Sequence, residues 1–572
     1  MFSIKKNVLQ TVALLKAYGI RQVVLSPGSR NAPLIQTFSQ DAYFKCHTVV
    51  DERNAAFYAL GIIQCLREPV VVCCTSGSAL LNFAPAVSEA YYQQLPLVVI
   101  SADRAKAWIG QMDGQTLPQA GAFGALVKKA VDLPEVASEN DAWYCNRLVN
   151  EALMACTADG CGPVHINVPL SEPLFDYSQT QLPAVRRIRH VPDSGALSAA
   201  MLDELAQLWE NSSKCMIVVG QSFPSAALNA LLEQAAKKAG CVVLCEHLSN
   251  CHSPDFIVNF DALLQGTAVA DTTLQVSDFA PDLLITLGGH IVSKRLKRFL
   301  RSHPPQYHWH ISPSGEVADL FQSLTHLLKA DACRFFQDIL PKIQATRSPE
   351  PSHSFYDQWM QASHRIKEPA ADVAFSDAWV VNTFLKALPA GAVLQVANSS
   401  VVRTIQLFPI DPSVPVYCNR GVNGIEGSLP CAVGFAAVHK GIVYLLIGDL
   451  SFFYSLSALW NIEHISNLRI LLLNNGGGGI FHQLPGLNVS ASLNDHVAAQ
   501  HQTFGVQWGL AAGFQCLSAG NKKELNEQMP LFISDKIKRN MLFEVCTDTQ
   551  TNLQVYQQYD HQLKVMIEND NR

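Results

Sequence analysis

The chain has 572 residues, 48% of them hydrophobic and 16% charged, with a formal net charge of −6. That length is too great for a single core and predicts roughly three or four domains. The mildly acidic balance gives no basis for nucleic-acid binding, and no apolar run reaches the roughly 18 residues of a membrane span.

The opening "MFSIKKNVLQTVALLKAYGI" has a basic start, but its polar interruptions and missing cleavage site read as an amphipathic first helix rather than a signal peptide. A first block, residues 1–182, alternates strand-like runs ("QVVLSPG", "CHTVVDE", "PVVVCCTSG", "PLVVISADR", "PVHINVP") with helical patterns. A polar, proline-containing linker follows. The second block, residues 195–345, repeats the alternation with "KCMIVVGQ", "GCVVLCEH", "DLLITLGGH" and "QYHWHISP". After "ATRSPEPSHSFYDQW", a third block, residues 372–572, carries "AVLQVANSS", "PVYCNRG", "IVYLLIGD", "LRILLLNN" and "NMLFEVCTD". Strands alternating with helices predict doubly wound parallel sheets, so the fold class is α/β in three such domains. The 16 cysteines sit in apolar strand-like runs without CxxC spacing. Buried reduced thiols are the expectation, and with them a cytoplasmic location.

Two strand ends in the third block carry chemistry. One apolar run ends on Gly448-Asp449, and the next, some two dozen residues on, ends on Asn474-Asn475-Gly476-Gly477. In a βαβ unit both ends lie on one sheet edge, where α/β folds bind ligands. Asp449, Asn475 and a backbone carbonyl would converge as hard oxygen donors suited to Mg²⁺, and the glycines would let the backbone approach a phosphate. Asp and Asn are also ordinary helix caps, but the pairing with a glycine run favours a metal–diphosphate site.

This stretch resembles the diphosphate-binding motif of thiamine diphosphate enzymes, a GDG triplet followed by an asparagine pair, with Leu450 in place of the third motif residue. The resemblance implies thiamine diphosphate with Mg²⁺, or Mn²⁺, held by Asp449, Asn475 and the Gly477 carbonyl. It places Gly448, Leu450, Ile425, Ile480 and Phe481 around the cofactor, with Ile425 propping its bent form. The family also needs a carboxyl group on the aminopyrimidine ring, after the second strand of its pyrimidine domain. Glu52 in "HTVVDERNAAFYALG" matches, flanked by Val49-Val50 and Phe57-Tyr58. In that family the carboxyl group and the diphosphate site meet across subunits, which implies a homodimer or a dimer of dimers.

Six further motifs put cations or polar groups beside strand ends and glycine turns: "LSPGSRNAPL", "ISADR", "MDGQTLPQ", "SKRL", "NSSVVR" and "NRGVNGIEG". Arginine binds carboxylate oxygens in pairs, so this number suggests several carboxylates to be held. Together the motifs resemble those of the 2-succinyl-5-enolpyruvyl-6-hydroxy-3-cyclohexene-1-carboxylate synthases of menaquinone biosynthesis. That likeness implies decarboxylation of 2-oxoglutarate and addition of the resulting succinyl carbanion to isochorismate. Ser399, Arg403 and Arg420 would hold 2-oxoglutarate, while Arg30, Arg104, Gln115, Lys294 and Arg295 would receive isochorismate, and Ser29 would also bind substrate. Leu484 would complete the apolar wall. Glu426, where Asp is common, and Ser455-Leu456-Ser457 depart from the family pattern. The middle block has no GxGxxG fingerprint and is expected to carry no cofactor. The alternatives are another thiamine diphosphate lyase, such as an acetolactate synthase-like or 2-oxoacid decarboxylase enzyme, or a non-catalytic protein of the same fold.

Overall fold

In the computed structural model, residues 1–189, 196–269, 276–343, 354–368, 372–460, 462, 464–484 and 486–568 are described. The expected bounds of the central block, 195 and 345, and parts of both linkers lie outside them.

Among the described residues the strands form three separate six-stranded sheets, all parallel. The first contains β1 (Gln22–Leu25), β2 (Lys45–Thr48), β3 (Val70–Cys74), β4 (Leu97–Arg104), β5 (Lys129–Asp132) and β6 (Val164–Leu170), in the order β2-β1-β3-β4-β6-β5. The central sheet contains β7 (Cys215–Val219), β8 (Val242–Cys245), β9 (Phe256–Ile257), β10 (Leu283–Leu287), β11 (Tyr307–Ile311) and β12 (His326–Leu328), ordered β12-β11-β10-β7-β8-β9. The third contains β13 (Val393–Val396), β14 (Val416–Tyr417), β15 (Val443–Gly448), β16 (Leu468–Asn474), β17 (Gln515–Ala519) and β18 (Met541–Cys546), ordered β14-β13-β15-β16-β18-β17. The first and third sheets therefore share one topology, and the central sheet has another.

Central strands such as β3, β4, β6 and β15 are almost wholly buried because helices cover both faces, which is why they read as unbroken apolar runs. The strands that sequence patterning misses are β5, β9, β12 and β17, and each is a sheet edge. Edge strands meet solvent on one side, so β5 ("KAVD") and β17 ("QCLSA") lack a continuous hydrophobic signal. All 16 cysteines are free thiols; ten are buried, some on strands (Cys73, Cys74, Cys215, Cys245) and some on helices (Cys145, Cys156, Cys431).

The first and third domains share one hydrophobic core. Its axis is the crossing of helix Glu52–Leu66 with helix Ser428–Val438. Two glycines make that crossing possible. A Cβ on Gly61 would meet the Cys431 carbonyl oxygen at 2.0 Å, and one on Gly434 would meet the Tyr58 carbonyl oxygen at 2.0 Å. No larger residue fits without separating the helices. The crossing fixes the helix that starts at Glu52 against the domain that carries Asp449.

Candidate active site

The β15–β16 register pairs Gly448 with Leu473, so the next residue on each strand, Asp449 and Asn474, emerges at the same sheet edge. This edge lies beside the point where the strand order reverses, between β13 and β15, which is where open α/β sheets form a ligand crevice. Asp449 is 3% exposed and begins helix Asp449–Tyr454. Its Oδ1 accepts from the Leu450 amide at 2.6 Å, and its Oδ2 accepts from the Gly477 amide at 2.9 Å. Burial pushes the Asp449 carboxyl above its ordinary range, opposed by those two amides and by His501. His501 Nε2 lies 3.3 Å from Oδ2 but makes no hydrogen bond among the described residues.

Asn475 is the most telling group here. Its amide nitrogen donates to Asp377 Oδ2 at 2.9 Å, and its amide oxygen is buried without a partner among the described residues. A buried acceptor with nothing to accept from is costly unless a ligand supplies a positive charge or a proton. Gly477 follows with φ +147°, and a Cβ there would meet the Ala498 carbonyl oxygen at 2.7 Å. Gly476 is also left-handed, at φ +79°. The Gly477 carbonyl accepts from the Gly479 amide at 3.0 Å and keeps a second lone pair. Among the described residues no cluster of three or more His, Cys, Asp or Glu side chains could hold a metal. The donor set is instead one buried carboxylate, one orphaned amide oxygen and one carbonyl, which fits an Mg²⁺ ion that draws its remaining ligands from phosphates and water.

Ile425, Ile480 and Phe481 are half-buried beside this turn, and Leu484 is 38% exposed. The Ser451 hydroxyl donates to the Ile425 carbonyl, tying that loop to the helix begun by Asp449.

Glu52 stands at the first turn of its helix, half-buried, after the N-cap Asp51. Within one chain this helix start lies against the segment after Asp449's helix. Arg53 Nη2 donates to the Tyr454 carbonyl at 2.8 Å, and Ser457 Oγ donates to Asp51 Oδ2 at 2.6 Å. Among the described residues no hydrogen bond or ion pair joins Glu52 to Asp449 or Asn475 in the same chain.

The predicted substrate residues fall into three groups. Arg30, Arg104 and Gln115 gather at the carboxyl edge of the first sheet. Arg30 is buried, donating to the Leu170 carbonyl at 3.0 Å and pairing with Glu172 at 3.1 Å. Arg104 pairs with Asp113 at 3.2 Å, and Gln115 donates to the Ser76 carbonyl at 3.1 Å. Ser29 is exposed in the loop after β1. Lys294, exposed, and Arg295 begin helix Lys294–Ser302 of the central domain, where Arg295 is held by Asp261 at 2.5 Å.

Arg403 and Arg420 form the third group. Arg420 is 5% exposed; its Nη1 donates to Asn398 Oδ1 at 2.9 Å, and its Nε is buried with no partner among the described residues. Arg403 Nη1 donates to the carbonyl of Ser399, which has φ +72°. Burial, then the like charge of Arg420, pushes Arg403 down. His290 and Lys297, from the central domain, are lowered by burial and feel Arg420 as a neighbour. Sequence reasoning overlooked Lys297, although it lies one turn from Lys294 on the same helix. It also missed Asp377, His501 and His290, for which no motif gives a signal. Asn398 lies inside "NSSVVR" and was within reach.

Residues 9–161 match the family described as thiamine pyrophosphate enzyme, N-terminal TPP binding domain, and residues 189–396 match the middle domain of thiamine pyrophosphate. A 2-succinyl-5-enolpyruvyl-6-hydroxy-3-cyclohexene-1-carboxylate synthase of Bacteroides thetaiotaomicron is 46% identical over 569 residues, covering 99% of this chain and 100% of its own. The chain belongs to this synthase family. Synthases of the same name from Phocaeicola vulgatus and Flavobacterium psychrophilum are 46% and 38% identical, covering 99% and 95% of this chain and 99% and 96% of their own. This member of the synthase family is thus a thiamine diphosphate-dependent enzyme. A solved benzoylformate decarboxylase from Polynucleobacter necessarius shares the fold, with a TM-score of 0.70 and 18% identity over 96% of this chain and 99% of that one. Among the described residues of this family member, no helix is long and apolar enough to cross a membrane.

Proposed function

We propose that the enzyme decarboxylates 2-oxoglutarate and adds the four-carbon succinyl unit to isochorismate. The products are 2-succinyl-5-enolpyruvyl-6-hydroxy-3-cyclohexene-1-carboxylate and CO₂, a step of menaquinone biosynthesis. The observation that carries this reading is the group of three cations, Arg403, Arg420 and Lys297, with His290 beside them, at the junction of the third and central domains, Arg420 keeping a buried donor that has no partner among the described residues. A monocarboxylic 2-oxo acid needs no such concentration of cations, whereas a dicarboxylic donor and a dicarboxylic acceptor do.

When bound, thiamine diphosphate supplies the nucleophilic carbon and the electron sink that decarboxylation of a 2-oxo acid requires. Asp449, Asn475 and the Gly477 carbonyl would hold Mg²⁺ (or Mn²⁺), and the glycine turn would admit the diphosphate. Glu52 would accept or donate the proton at the aminopyrimidine ring. Arg403, Arg420 and Ser399 would orient the distal carboxylate of 2-oxoglutarate. Arg30, Arg104 and Gln115, with Ser29, Lys294 and Arg295, would receive isochorismate. Ile425, Ile480, Phe481 and Leu484 would exclude water from the developing negative charge. A homodimer or dimer of dimers belongs to the same reading, bringing Glu52 of one copy to the Asp449 turn of another. So does a division into residues 1–182, 195–345 and 372–572, the middle unit carrying no cofactor. A cytoplasmic location is supported by the 16 free thiols.

The test is a reaction of purified protein with Mg²⁺, thiamine diphosphate, 2-oxoglutarate and isochorismate, followed by mass spectrometry. Product formation dependent on both substrates is expected. Turnover of pyruvate with no use of isochorismate would overturn the reading.

A further inference from the structure

Arg420 sits on a short segment, residues 416–422, that all three domains hold. From the central domain, Gln221 Nε2 donates to the Cys418 carbonyl at 2.7 Å, and Asn250 Nδ2 donates to the Val416 carbonyl at 3.0 Å. From the first domain comes Glu89, on helix Ala84–Tyr92 and only 1% exposed. Its Oε1 accepts from the Gly421 amide at 2.6 Å, and its Oε2 accepts from the Val422 amide at 2.8 Å. Those are the two peptide groups directly after Arg420. The approach is close enough that a Cβ on Gly421 would meet the Glu89 carbonyl oxygen at 2.7 Å. Gln93, one turn further along the helix, donates to the same carboxylate.

A buried carboxylate spanning two consecutive amides fixes the backbone that follows Arg420. Burial pushes the Glu89 carboxyl up, opposed by those two amides, by Gln93 and by the nearby Arg420 guanidinium, which also has Arg403 as a like-charged neighbour. One donor of that guanidinium, Nε, has no partner among the described residues, so the fixed arginine is left with capacity for a ligand.

We propose that Glu89 is a positioning residue for 2-oxoglutarate recognition: by clamping Gly421 and Val422 from another domain, it holds Arg420 ready for the distal carboxylate. The proposal rests on the reading that Arg420 binds that carboxylate. Glu89 does not touch the substrate; it acts through Arg420. Its loss therefore shows in donor binding before it shows in acceptor binding or in cofactor affinity.

The test compares Glu89→Gln, Arg420→Lys and the double variant by steady-state kinetics, with thermal unfolding and thiamine diphosphate titration as controls. Glu89→Gln keeps the shape and one acceptor but turns the other oxygen into a donor that faces a backbone N–H. Its expected signature is a KM for 2-oxoglutarate raised about tenfold, with the KM for isochorismate and the cofactor titration unchanged. The double variant should be no worse than Arg420→Lys alone, because both changes act on one interaction. Gly421→Ala, which pushes the loop off Glu89, should reproduce the signature and serves if Glu89→Gln fails to fold. An equal rise in both KM values, or effects that multiply in the double variant, would overturn the clamp while leaving the role of Arg420 standing. If Arg420→Lys itself leaves the KM for 2-oxoglutarate unaltered, the reading of the pocket falls and the clamp with it.

Discussion

The Asn475 amide nitrogen donates to Asp377 Oδ2 at 2.9 Å, and the consequence is an amide oxygen that faces no donor among the described residues. Asp377 is itself fixed, its Oδ1 accepting from the Thr547 hydroxyl at 2.6 Å. The pair sets which end of the amide is left for a cation, and neither residue can turn without breaking the other's bond.

Removing that lock is expected to weaken the metal site without touching a metal donor. Asp377→Ala frees the Asn475 amide to rotate, so affinity for Mg²⁺ and thiamine diphosphate should fall by about ten- to a hundredfold. Asp449→Ala should be at least as severe, and excess Mg²⁺ with cofactor should restore part of the activity in both. Calorimetric titration of the apoenzyme measures this. An unchanged titration for Asp377→Ala would remove it from the metal site.

Glu52 stands on a different domain from Asp449, and its helix is anchored by the Gly61–Cys431 crossing rather than by the cofactor turn. Glu52→Gln should therefore abolish proton exchange at the cofactor's reactive carbon while leaving cofactor affinity near normal. Deuterium exchange of the bound cofactor, read by NMR, is the measurement. Normal exchange in the variant would strip Glu52 of its role.

The two arginine groups predict separable defects. Arg403→Ala should impair decarboxylation of 2-oxoglutarate when no acceptor is present, by about one to two orders of magnitude. Arg295→Ala should spare that half-reaction and raise the KM for isochorismate. Its effect should be the smaller of the two, because Arg295 is already engaged by Asp261. Stopped-flow measurement of CO₂ release, set beside steady-state titrations, separates them; a reversed pattern would exchange the two pockets.

A fourth expectation concerns pH. Glu246 is buried in the central domain, accepting from the Val292 and Ser293 amides at 2.7 and 2.6 Å. Burial pushes it up from an ordinary 4.5 to about 7, against the pull of those amides. A carboxyl raised in the folded state favours folding fully below pH 4.5, and that contribution is lost as pH climbs through 7. The loss amounts to roughly 3 kcal/mol across the window. Glu246→Gln cannot ionise, so its urea midpoint should change less between pH 5 and pH 7.5 than that of the parent. Parallel pH profiles for the two proteins would show that Glu246 is already charged at pH 5.

Sequence alone determined the parts of this protein that local chemistry dictates. Buried parallel strands must be apolar along their whole length, so the central strands of all three sheets were legible. Gly448-Asp449 and Asn474-Asn475-Gly476-Gly477 were legible for a related reason: a strand end that approaches phosphate and metal needs oxygen donors and glycines at fixed offsets. The edge strands β5 and β17 were not, since solvent on one side removes the apolar signal, and β9 and β12 were not, since two and three residues are too short to carry a pattern. Only the tertiary structure joined residues distant in the chain. It put Asp377 on Asn475, Glu89 on the amides after Arg420, and Lys297 and His290 near the same arginine. These contacts depend on how whole domains dock, through crossings such as Gly61 on Cys431 and Gly434 on Tyr58. No local pattern records which buried carboxylate will meet which loop, because burial and partner are both set by the packing of another domain.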